Sequence, residues 1–77
     1  MDRLYKSRRI HTTPQLNLEA DCWVPHADVS WDEQGTKYRQ ILAGPPDLFK
    51  IIDHAESYAL EMAMAWIDAQ LMDDLTP

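Results

Sequence analysis

The sequence predicts an α+β domain: a three-stranded antiparallel β-meander packed on one face by a single long C-terminal helix, a βββα plan. Three observations lead there. The run Asp53–Leu71 holds neither glycine nor proline and is rich in alanine, methionine and leucine, all strong helix formers. Gln34-Gly35 divides the stretch from Trp23 to Leu42 into two alternating runs, which is a hairpin cue. Between hairpin and helix, Gly44-Pro45-Pro46-Asp47 stops any ladder, because proline has no N–H to donate. The 77 residues read as one domain, with strands within about residues 4–43 and the helix over about 53–72.

From the N-terminus, Tyr5–Thr13 mixes β-branched and aromatic residues with charges until Pro14 interrupts it. Leu16 and Leu18 resume an alternation, and Glu19-Ala20-Asp21 reads as a turn, so one or two strand pieces are expected here. A first strand pairing antiparallel with Trp23–Trp31 completes the meander, and Pro25 implies a bulge or an edge near the start of that strand. A two-residue loop at Gln34-Gly35 sets Trp31 opposite Tyr38, Val29 opposite Gln40 and Ala27 opposite Leu42. The same register sets Asp32 opposite Lys37 and Ser30 opposite Arg39, giving one apolar and one charge-complementary face. After the prolines, Leu48, Phe49, Ile51 and Ile52 form an apolar lead-in expected to pin the helix start to the sheet.

Asp53-x-x-Glu56 has the spacing of a capping box, and its acids suit the positive end of the helix dipole. At 100° per residue, Ala55, Ala59, Met62, Ala63 and Trp66 share one stripe. Ser57, Glu61 and Asp68 gather opposite. Leu60, Met64, Ile67 and Leu71 form a second apolar flank, wider than a small sheet covers. Either the Gly44-Pro45-Pro46 loop or the N-terminal segment covers that flank, or Leu60, Met64 and Leu71 are candidate protein contacts, with another protein or a second copy as the partner. The ending Asp73-Asp74-Leu75-Thr76-Pro77 is acidic and expected to fray.

The net charge of −6 is unevenly spread. Four cations against one acid leave the first eleven residues at +3, while three cations against twelve acids leave the rest at −9. An acidic body repels phosphate backbones, so nucleic acid is disfavoured, except through the basic N-terminal arm of Arg3, Lys6, Arg8 and Arg9. No run of 18 apolar residues and no h-region behind the charged N-terminus are present, so neither membrane span nor signal peptide is expected. One cysteine, Cys22, cannot form an internal disulfide, which fits a reducing cytoplasm.

Cys22-x-x-x-His26 offers two ligand types that share a face on a strand, but no second pair completes a zinc set, and no metal is expected. Nothing glycine-rich near Cys22 supplies an oxyanion hole for a Cys–His nucleophile. Asp28 and Asp32 alternate onto one face, yet Lys37 and Arg39 beside them make a salt-bridge ladder rather than an acid–base pair. With only Gly35 and Gly44, no phosphate-cradling loop exists, and no cofactor is expected. Trp31 and Trp66 read as core partners. Trp23, at a strand end before Val24-Pro25, is a candidate protein-contact anchor.

The sheet-then-helix order, the Asp53-x-x-Glu56 start and the Ala65-Trp66-Ile67-Asp68 ending resemble small uncharacterised proteobacterial proteins with a βββα plan, over about Lys6 to Asp68. The chain also looks like the βββα part of double-stranded-RNA-binding folds. That resemblance implies a basic helix start, where this chain carries Asp53 and Glu56. The reading is therefore a small non-catalytic cytoplasmic interaction or accessory module using the helix flank. The alternative is a weak nucleic-acid-associated regulator using the basic arm.

Overall fold

The computed structural model describes the backbone of residues 1–75 and the side chains through Met72. Six strands and one helix follow in order: β1 Asp2–Tyr5, β2 Arg8–Thr12, β3 Gln15–Asn17, β4 Cys22–Val24, β5 His26–Glu33, β6 Thr36–Ala43 and α1 Ile52–Leu75. They make a four-stranded antiparallel sheet in the order β1-β2-β5-β6, and a separate two-stranded sheet β3-β4. The α+β class and the C-terminal helix on antiparallel strands agree with the expectation. The three-stranded meander does not. It survives only as β2-β5-β6, with β1 added at one edge and β3-β4 inserted between β2 and β5.

Local backbone chemistry explains both departures. Lys6 and Ser7 adopt left-handed φ of 49° and 67°, folding the first segment back on itself between Tyr5 and Arg8. That is the primed two-residue turn whose twist suits a hairpin, made here without glycine or asparagine. Pro25 falls between β4 and β5 and splits the expected single strand. Its carbonyl still accepts from the Gly44 N–H at 2.9 Å. A Cβ on Gly44 would lie 2.8 Å from Tyr58 Cε1 and 3.0 Å from Pro25 Cγ, so this strand end needs glycine to pass.

The β5–β6 hairpin matches the expected register at every pair, Trp31–Tyr38, Val29–Gln40 and Ala27–Leu42 included. Gln34 and Gly35 supply the turn with φ of 51° and 81°. On the helix side of the sheet, Trp31 stacks on Tyr38 at 5.5 Å and meets Trp66 at 5.7 Å. On the other side, Arg39 Nε donates to Asp28 Oδ2 at 2.7 Å, a diagonal cross-strand pair.

The helix packs one residue in four. Ala55, Ala59, Ala63 and Ile67 are fully buried, the last three in one cluster with Ile10, Ala27 and Val29. The buried stripe is thus turned toward the second flank, so that Ile67 sits in the core and Trp66 beside it, half-buried. The capping box is absent: Ala55 N–H bonds the Ile51 carbonyl, placing Asp53 inside the first turn. Glu56 instead accepts from the buried Thr12 hydroxyl at 3.0 Å and pairs with the Met1 amine at 3.2 Å. Twelve residues on, Asp68 accepts from Tyr5 Oη at 3.0 Å and Lys6 Nζ at 2.6 Å. The first hairpin is therefore tied to the helix at two places about 18 Å apart, at a rise of 1.5 Å per residue. The helix runs past the expected end near residue 72 to Leu75; the rest of the acidic tail, Thr76-Pro77, lies outside the described residues.

Candidate protein-contact surface

The second sheet and the helix lead-in lie together and carry several exposed apolar side chains. Leu16 lies opposite Trp23 in the β3–β4 register, and the Trp23 N–H bonds the Phe49 carbonyl at 2.6 Å as an isolated bridge. The lead-in thus adds a third, one-residue strand to this sheet. Phe49 then meets the Tyr58 ring at 5.2 Å. Leu16, Trp23, Phe49 and Tyr58 form one seam from the small hairpin to the helix. Asn17 Nδ2 donates to the Pro46 carbonyl, and Lys50 Nζ to the Ala20 and Asp21 carbonyls, fastening lead-in and hairpin together.

Around the seam the apolar side chains stand in solvent. Leu16 is 47% exposed, Leu18 82%, Leu48 63% and Ile51 52%. Only Phe49 of the lead-in does the expected pinning; Leu48, Ile51 and Ile52 do not. Trp23 is half-buried within the seam.

The helix flank behaves otherwise. Leu60, Met64 and Leu71 are each half-buried and lie against the core cluster, so the bare flank expected of them is corrected. A three-stranded sheet was too narrow to reach them. The extra strand β1 widens it on the side from which Tyr5 and Lys6 reach Asp68.

The basic residues do not form an arm. They lie in or beside a hairpin of the sheet, and strand alternation separates them. Lys6 is paired with Asp68, and Arg8 lies over the Trp31 ring at 5.4 Å on the helix side. Arg9 is on the opposite face, and Arg3 shares the Arg8 side at the outer edge. Arg9 borders a shallow cleft of about 280 Å³ whose rim also carries Ser30, Asp32, Lys37 and Tyr38. Its mixed charges favour neither an anion nor a cation.

Cys22 and His26 do not share a strand face, because Pro25 sends them into different sheets. The buried Cys22 thiol donates to the Ala20 carbonyl at 3.3 Å. Among the described residues, no three His, Cys, Asp or Glu side chains converge on a common point. No described helix is long and apolar enough to cross a membrane.

Two carboxylates are electrostatically tuned by the ties to the helix. The Met1 amine, then the Thr12 hydroxyl, hold Glu56 below the usual glutamate range. Lys6, then Tyr5, hold Asp68 below the usual aspartate range, and Asp68 in turn raises the Lys6 ammonium. Both are structural clamps, linked to the sheet rather than to any cavity. No protein-family model matches the chain, and no curated protein or solved structure is significantly similar to it.

Proposed function

We propose that this chain is a small non-catalytic cytoplasmic module that binds another protein through the surface formed by the β3–β4 hairpin and the helix lead-in. One observation carries the reading: the distribution of apolar bulk. Among the described residues, four of the eight buried hydrophobic ones are alanine, whereas Leu16, Leu18, Leu48, Ile51 and Ile52 stand exposed in two adjoining segments. Burying one such leucine or isoleucine is worth about 1.5–3 kcal/mol, so leaving five uncovered forgoes a large share of a small domain's stability. Exposed apolar patches of this kind mark contact sites. Trp23 and Tyr58 supply the aromatic anchors typical of such surfaces. The cytoplasmic assignment rests on the single buried thiol, Cys22, in a chain without disulfides.

The separation of Arg3, Lys6, Arg8 and Arg9 between two faces and two intramolecular partners supports this reading over a nucleic-acid one. The test is affinity capture from native cytoplasm, with and without nuclease, comparing the parent with a Leu16→Asp, Ile51→Asp double variant. Both positions are about half exposed, so the variant should fold as the parent does. We expect a nuclease-resistant protein partner that the double variant loses. Recovery that vanishes with nuclease, or that the double variant retains in full, overturns the proposal.

A further inference from the structure

The edge strand β6 is the other unusual surface. A long, exposed edge is a template for pairing with another chain, and folded proteins blunt such edges with short strands, bulges, proline or charge. The opposite edge, β1, has four residues, two of them the charged Asp2 and Arg3. β6 has eight, two of them the charged Lys37 and Arg39, with no proline, glycine or bulge, and no described strand on its outer side.

Its outward hydrogen-bonding groups can be assigned. A two-residue turn closes on a hydrogen-bonded pair, here Glu33–Thr36, so alternate pairs down the ladder bond as well. Thr36, Tyr38, Gln40 and Leu42 therefore bond to β5. The Gly44 N–H bonded to the Pro25 carbonyl continues that phase. Lys37, Arg39, Ile41 and Ala43 are left with outward N–H and C=O groups, and the Gln40 side-chain amide reaches the outward Ile41 carbonyl at 3.2 Å.

We infer that β6 pairs antiparallel with β6 of a second copy of this chain about a two-fold axis through Gln40, joining two sheets into one of eight strands. This rests on reading the chain as a contact module, although it uses a different surface from the lead-in. The register comes from self-complementarity. Centred on Gln40, Lys37 falls opposite Ala43 and Arg39 opposite Ile41, so all four outward residues pair and no like charges face each other. Centring on Arg39 sets two guanidinium groups opposite each other and leaves Ala43 unpaired. Centring on Ile41 leaves Lys37 unpaired. In the Gln40 register Arg39 is diagonal to its own mate rather than opposite it, and each is held by Asp28 of its own chain. On the helix side, Tyr38, 43% exposed at the rim of the sheet, falls opposite the partner's half-buried Leu42. Ile41, 55% exposed, is covered by the partner's Arg39 stem.

Sedimentation velocity on the purified chain, from about 1 μM to about 1 mM, tests the pairing. We expect a reversible shift from 8.9 kDa toward twice that mass. Amide exchange at the high end should slow selectively at Lys37, Arg39, Ile41 and Ala43. Ile41→Lys places a cation opposite Arg39 of the partner while giving Asp28 of its own chain a new neighbour, so the fold holds. Two such contacts per dimer should weaken association about tenfold. Ile41→Pro removes an outward N–H without touching the β5 ladder and should abolish association. A chain that stays monomeric throughout overturns the inference and leaves the lead-in reading standing. So does a dimer indifferent to both Ile41 variants, and dissociation by Leu16→Asp with Ile51→Asp instead would assign self-association to the lead-in surface.

Discussion

Replacing Ile67 by alanine tests where the helix meets the sheet. Ile67 is fully buried and is the largest helix side chain in the core cluster, whereas its neighbour Trp66 is only half-buried. The substitution removes three carbons, and at about 0.8 kcal/mol for each the transfer cost is about 2.4 kcal/mol. If half of the roughly 80 Å³ vacated persists as a cavity, that adds about 1 kcal/mol at 24 cal/mol per Å³. The total of about 3.4 kcal/mol is most of the lower bound of about 4 kcal/mol expected for a domain of this length. Urea unfolding at one fixed protein concentration reads it. With a slope of about 1 kcal/mol per M, the midpoint should fall by about 3 M with the slope unchanged. Trp66→Ala, which vacates a half-exposed site against Trp31, should cost less than Ile67→Ala despite removing far more atoms. A larger loss at Trp66 than at Ile67, or a loss at Ile67 below about 1 kcal/mol, would refute the helix phase.

Two further outcomes concern the first hairpin and its ties. Ser7→Gly relieves a left-handed non-glycine residue at an exposed turn, where φ is 67°, and should stabilise by about 0.5–1 kcal/mol in the same urea assay; destabilisation would mean the turn is not left-handed. Glu56 and Asp68 are both held below their ordinary values of 4.5 and 3.8, so their contributions are complete above those values and are lost as pH falls through the folded ones. Lys6 is raised above 10.5, so its share is present below that value and lost only in stronger alkali. The urea midpoint should therefore fall on acidification from about pH 5 to about pH 3, and Glu56→Gln with Asp68→Asn should flatten that fall; parallel curves would exclude these carboxylates as the linked groups.

How far the sequence could be read depended on whether a signal was local. The β5–β6 hairpin was legible because a glycine turn, an aromatic pair and a charge pair all demand one register. The helix was legible because propensity and length agree. The β1–β2 hairpin was not, since Lys6-Ser7 carries none of the residues that advertise a primed turn, and its ties to Asp68 span more than sixty positions. Asp53-x-x-Glu56 misled for a related reason. The spacing is that of a cap, but the tertiary donor Thr12 engages Glu56 and the helix starts earlier, from the Ile51 carbonyl. Trp23 was flagged at its position, yet its companions Leu16 and Phe49 come from separate segments that only the bridge brings together. Which of the two readings of Leu60, Met64 and Leu71 holds was not legible, because the coverage of a flank depends on the number of strands, the quantity that an unmarked turn conceals.

The alanine stripe links these errors to the proposed role. Ala59 and Ala63 present almost no bulk, so the helix can lie close over Ile10, Ala27 and Val29 without large side chains between them. It also means that the core contains little hydrophobic material to lose. Ile10, Val29 and Ile67 carry most of it, and the ties at Glu56 and Asp68 add to the β2–β5 ladder in holding the first hairpin to the helix. Among the described residues, several bulky apolar side chains stand exposed in the lead-in, the β3–β4 hairpin and the β6 edge instead, the surfaces on which the proposed contacts rest. If a partner covers either surface, binding to the folded state stabilises the domain by mass action, so the urea midpoint should rise with partner concentration.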